Sequence, residues 1–239
     1  TTRRTRTRAS WSYELEQAFA SLKTCIFNTP LSLPLIRMAL DRATPANAAP
    51  AAVSRLSQDL GGGLKVRWVF PDTTNHQAES ERFIFYVHSP TLSPTGGTLR
   101  ALTARLALAC SASVLTTAYR ADEDREEAHA DLVKAYKWMV TQPGVTPANL
   151  IVVSEGLGAA LALGVLLELR GSDASLLPAA AAYMSPWVDL ADASPSWEKN
   201  AAFDYPSRRV WAFVAERHAG MLPLSDPAVS LMRADLKGL

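Results

Sequence analysis

The sequence has little of what marks several large classes of protein. It holds two cysteines in 239 residues, Cys25 and Cys110, too few for a disulfide scaffold and without the close spacing of a metal-thiolate site. A reducing compartment, or free thiols, is the expectation. The four histidines, His76, His88, His129 and His218, stand far apart with no pair at helical ligand spacing, so neither a metal nor a cofactor is expected. A charge excess is missing too: 24 basic residues meet 23 acidic ones, a formal net charge of +1. Nucleic acid is therefore not an expected partner. The longest apolar run, Leu157 to Leu167, is about half of the roughly 20 residues that a transmembrane segment needs, and it reads as a buried helix.

Phosphate-binding signals are equally thin. Gly61-Gly62-Gly63 lacks the Lys-Ser/Thr of a phosphate loop and reads as a flexible joint. Gly156-Leu157-Gly158 follows a strand, but Leu161 stands where a dinucleotide fingerprint needs its third glycine.

What is present is a hydrophobic content of 48%, enough to bury one large core. Residues 1–10 form a basic tail in which Arg3, Arg4, Arg6 and Arg8 alternate mostly with Thr, and no acid precedes Glu14. That composition is typical of organelle transit peptides, so a mitochondrion or plastid is the expected location, with a cytoplasmic protein carrying a basic tail as the alternative. Residues 11–63 read as a helical, cap-like segment. Apolar positions such as Leu15, Ala18, Phe19 and Leu22 have helical spacing, and Pro30 and Pro34 divide the stretch into two helices. A further short helix is expected to end at Gly61.

From residue 64 to 239 strands and helices alternate. Strands are expected at Lys65–Phe70, Phe83–Val87, Ser113–Ala118, Leu150–Val153 and Ala180–Met184, and helices at Thr98–Ala109, Glu126–Val140, Gly158–Arg170 and Pro206–His218. Such alternation implies an α/β fold with a mostly parallel sheet.

Several segments resemble the hormone-sensitive-lipase-like esterases of the α/β-hydrolase fold. Phe83–Val87 followed by His88 resembles the strand leading to that family's His-Gly-Gly-Gly oxyanion loop. Ala118-Tyr119-Arg120, then Asp131 and Ala135-Tyr136-Lys137-Trp138, resemble its D-Y-R and A-Y-R-W segments. Leu150–Ala160 resembles the nucleophile elbow, and Ser185–Leu190, Asp226-Pro227 and Ala234–Leu239 match further segments in order. The resemblance implies an α/β-hydrolase-like sheet with flanking helices and N-terminal cap helices.

Set against that family's chemistry, the residues depart from the pattern. Ester hydrolysis there uses a Ser on a tight strand-to-helix turn, G-x-S-x-G. The corresponding stretch is Ser154-Glu155-Gly156-Leu157-Gly158, so a vestigial nucleophile position falls on Gly156. The oxyanion loop reads His88-Ser89-Pro90-Thr91, and Pro90 has no N–H to offer. The family's acid and base follow two further strands, and the sequence stops at Leu239 before them. The expectation is a catalytically inactive pseudo-hydrolase lacking the last strands, serving as an accessory subunit of a larger assembly. A small-molecule receptor, as in the plant gibberellin receptors of this family, and a carboxylesterase whose remainder is not shown are the alternatives. Trp187, Trp197 and Trp211 are candidates for lining a retained pocket, core packing being the commoner use of such residues. The acidic run Asp122–Glu127 reads as a helix start complementing the helix dipole, and His218 as a group near a helix end. A protein partner is expected along the strand edge at Ala180, Tyr183 and Met184 and on the helix face of Val210, Phe213 and Val214.

Overall fold

The computed structural model describes residues 10–27, 29–43, 49–72, 81–91, 96–120, 125–191, 194–204 and 208–239. The Arg-rich tail up to residue 9, His76 and the acidic stretch 121–124 lie outside them. Six strands form one sheet in the order β1-β2-β4-β3-β5-β6: β1 Val53–Asp59, β2 Lys65–Pro71, β3 Phe83–Val87, β4 Ser113–Ala118, β5 Leu150–Glu155 and β6 Ala180–Met184. The pairs β3–β4, β3–β5 and β5–β6 are parallel, whereas β2 runs antiparallel to both β1 and β4.

Alternation along each strand sorts side chains between two cores. Trp68, Phe83, Phe85, Leu115 and Val152 point to the face covered by α4 (Arg125–Met139) and α5 (Leu157–Ser172). Ile84, Tyr86, Val114 and Val153 point to the other face, where α3 (Gly97–Cys110) packs through Leu99, Ala104 and Ala107. Both faces are covered, so β3 is buried at all five positions, as its unbroken apolar run requires. The N-terminal helices α1 (Tyr13–Phe27) and α2 (Leu33–Ala43) join the outer side of α5 and helix α7 (Arg208–Ala219) in a third core, centred on Ile36, Leu157, Leu163 and Val214. A short helix, α6, spans Ser196–Asn200. Among the described residues, no helix is long and apolar enough to cross a membrane.

Three expectations need correction. Residues 53–59 form a strand, not a helix; only Val53 is buried, so the segment carries no alternation and is extended because it pairs with β2. Gly61, Gly62 and Gly63 have φ of 79°, 69° and 83° and make the tight turn of the β1–β2 hairpin, a left-handed path that three glycines take without strain. The face of α7 expected to need outside cover is covered from within, since Val210 and Val214 are buried in the third core with Phe213 packed against it. The edge of β6 is open, with Ala180, Ala181, Ala182 and Met184 exposed and Tyr183 partly buried.

Candidate active site at the end of β5

At its C-terminal end β5 turns sharply into α5, and Gly156 occupies the turn with φ 54° and ψ −130°. Its N–H donates to the Met184 carbonyl (3.2 Å) and its carbonyl accepts from Trp187 N–H (3.0 Å). The elbow is thereby fixed to the segment leaving β6. A side chain at 156 would stand in ordinary contact with Ser89, its Cβ 3.5 Å from Ser89 Oγ. The strained elbow backbone is thus kept, not relaxed, although glycine occupies it. Two residues on, a Cβ at Gly158 would stand 2.6 Å from the His88 carbonyl oxygen, so only glycine lets α5 approach the loop after β3. Ser154, two residues before the elbow, is buried in the sheet with its hydroxyl unpartnered.

That loop carries His88, Ser89, Pro90 and Thr91. The His88 ring is fully buried, stacked on Tyr119 with centroids 4.7 Å apart. Its Nδ1 faces the Ser89 carbonyl at 2.8 Å and its Nε2 the Thr117 carbonyl at 3.1 Å. Burial pushes its pKa down to about 4, and a neutral imidazole can donate to only one carbonyl at a time. The Tyr119 hydroxyl donates to the His88 carbonyl at 2.6 Å. The role of His88 is therefore to hold the loop. Ser89 N–H donates to Glu155 Oε1 at 2.6 Å, and Thr91 N–H reaches Ser89 Oγ at 3.4 Å. The Pro90 carbonyl accepts from Arg37 Nε on α2 at 2.8 Å. The loop amides are thus engaged internally, and the N–H groups opening α5, which lack intrahelical acceptors, are the donors best placed at the elbow.

Glu155 is the residue that sequence reasoning missed. Burial raises its carboxyl to about 7, against the stabilising bond from Ser89 N–H. The buried Tyr86 hydroxyl beneath it is raised mainly by burial and then by the Glu155 charge; no hydrogen bond of good geometry joins the two. An ionisable residue at the end of a mostly apolar β5 was the available signal.

Of the tryptophans, Trp187 and Trp211 meet edge to face at 4.9 Å. With Trp197 they line a cavity of about 190 Å³, tied to the elbow through the Trp187 N–H. His129 pairs with Glu168 at 2.7 Å with its side chain partly exposed, and His218, in the last turn of α7, is half-buried and feels the charge of Arg125.

A family profile described as α/β hydrolase fold matches residues 85–239. The chain belongs to this family. It is 30% identical over 188 residues to an acetyl-hydrolase of Streptomyces hygroscopicus, a match covering 74% of this chain and 58% of that protein. This α/β hydrolase therefore spans less than two thirds of the length of that curated relative. In three dimensions it is similar to an esterase of the bacterial hormone-sensitive-lipase family, with a TM-score of 0.80 at 22% identity over 96% of this chain and 76% of that one. A mutant of esterase E40 gives 0.82 at 24% identity over 96% and 77%. The expectation that the chain is a pseudoenzyme is overturned by the 30%-identical relative, which is named an acetyl-hydrolase; the structural neighbours show the fold. That expectation counted groups missing from the elbow, the loop and the segments after Leu239, and overlooked the ionisable carboxylate set beside the turn.

Proposed function

We propose that the protein is a carboxylesterase-type hydrolase that cleaves small acyl esters at the β5–α5 elbow. The observation carrying this reading is the backbone of Gly156, whose positive φ at a strand-to-helix turn is the strained conformation of a nucleophile elbow. The names of the relatives support it. Residue 156 supplies no attacking atom, and Ser89 Oγ lies beside the place where its side chain would project. In this reading Ser89 Oγ attacks the ester carbonyl carbon and its proton passes to the Glu155 carboxylate, a base poised near neutrality. The N–H groups opening α5 stabilise the oxyanion. Collapse expels the alcohol with that proton, and water then releases the acid from Ser89 by the same relay. The tryptophan-lined cavity of about 190 Å³ suits a short acyl or alcohol group.

The test is hydrolysis of p-nitrophenyl acetate and butyrate by the full-length protein. Saturable turnover is expected, rising with pH through about 7 as Glu155 ionises, and Glu155→Gln should remove that limb. Loss of turnover in Ser89→Ala would identify the nucleophile, whereas retained turnover would move the attack to another oxygen. Absence of any turnover above buffer would overturn the reading.

A further inference from the structure

A second cavity, of about 340 Å³, opens on the outer side of the helical layer between α4, α5, α7 and the segment leading to Ala234. None of His88, Ser89, Glu155 or Gly156 lines it. Its walls are apolar, with Leu161 and Leu167 on α5 and Ala228 and Leu231 opposite, and three nitrogen-bearing side chains converge on it: Arg125, His129 and His218. No acidic side chain is among the described residues that line it.

Arg125 makes this more than a gap in packing. Its side chain is 20% exposed, and among the described residues its ion pair reaches Glu126, itself 82% exposed, at 3.7 Å. Its Nε is buried and meets no hydrogen-bond partner. A buried guanidinium N–H without an acceptor is costly. His129 spends its Nε2 on Glu168 and lays its ring over Gly164, with Nδ1 3.3 Å from the place of a Cβ. Burial first, and the Arg125 charge second, hold His218 at about 4, so its imidazole is neutral and offers one N–H. Glu168 and Lys137 pair with each other at the rim, at 3.7 Å. Among the described lining residues, Arg125 therefore carries the permanent positive charge.

We propose that this cavity binds a small organic monoanion, a carboxylate on a short hydrocarbon body. The carboxylate would accept from Arg125, whose planar fork matches it, with the His218 N–H beside it. The hydrocarbon would lie against Leu161, Leu167 and Leu231, the usual division of a pocket into apolar walls and a few convergent polar groups. Inorganic phosphate, lacking a hydrocarbon part, would leave those walls unused. The inference does not depend on the reaction at the elbow.

Calorimetric titration of the folded protein with butyrate, butyramide and inorganic phosphate tests it. Butyrate should bind saturably, with butyramide and phosphate at least about tenfold weaker, as loss of one charge-assisted contact or of the apolar contacts implies. Arg125→Gln should weaken butyrate by a similar factor, and Ala228→Trp, which fills the cavity without touching its charge, should do the same, with circular dichroism confirming that both variants are folded. Saturable butyrate binding lost in either folded variant supports the site. No saturable binding, binding left intact by both substitutions (as butyrate held at the elbow would be), or phosphate bound as tightly as butyrate, would overturn the proposal.

Discussion

The Ser89 amide and the Glu155 carboxylate are joined by a 2.6 Å hydrogen bond that ties the loop after β3 to the last residue of β5. β3 and β5 are neighbours in the sheet, and the bond places an ionisable group beside the elbow. Its burial gives the protein a pH signature.

Burial raises the Glu155 pKa from 4.5 to about 7, so the folded state holds this proton more tightly than the unfolded chain. Below 4.5 both states are protonated and the residue has no effect on stability. Between 4.5 and about 7 the unfolded chain ionises first, so stability falls as pH rises, by on the order of 3 kcal/mol in total. His88 and His218, both lowered to about 4, oppose this trend, because below 6.5 the unfolded chain takes up protons that the folded one refuses. The difference between wild type and Glu155→Gln isolates the carboxylate. Urea midpoints measured from pH 4 to 8 should show the variant gaining on the wild type as pH rises. Parallel curves would show that Glu155 titrates normally.

Gly156→Ala should fold with a loss of about 1–2 kcal/mol, the strain of a side chain in a left-handed conformation. The new Cβ meets Ser89 only at ordinary contact distance. Denaturant unfolding reads the loss, and a neutral effect would mean that the turn relaxes to negative φ.

Gly158→Ala should be far worse, since its Cβ would stand 2.6–2.7 Å from backbone atoms of Val87 and His88. Backbone cannot swing aside as a side chain can, so a loss above about 4 kcal/mol, or failure to fold, is expected. An unfolding midpoint close to that of Gly156→Ala would contradict the close approach of α5 to the loop.

Tyr119→Phe removes the hydroxyl that donates to the buried His88 carbonyl. The orphaned carbonyl should cost about 1–2 kcal/mol in a thermal or chemical melt. The same substitution should loosen the loop, seen as faster amide exchange at Ser89.

The sequence made the core strands legible because β3, β4 and β5 lie between helices, are buried on both faces and are correspondingly rich in apolar residues. β1 escaped notice for the opposite reason: six of its seven residues are exposed, and Leu56 and Leu60 at a spacing of four imitate a helix. Gly156 and Pro90 could be read directly as departures from a hydrolase pattern. Glu155 could not, because its raised pKa depends on a loop 66 residues away folding over it. The cover of Val210 and Val214 was hidden likewise, since it comes from helices near the opposite end of the chain.

The three-glycine turn also bears on the order in which the sheet assembles. Asp59 pairs with Lys65 across it, whereas Lys65 pairs on its other side with Ala118. Closing the short loop loses much less chain entropy than closing the long one. Hairpins of this kind form in about 1–10 μs, well ahead of contacts between distant segments. β1 would therefore reach β2 first and shield one of its edges, leaving a single open edge for β4. The polar outermost strand would then act as a temporary guard for the strand that carries Trp68 and Phe70 while the rest of the chain is still being gathered in.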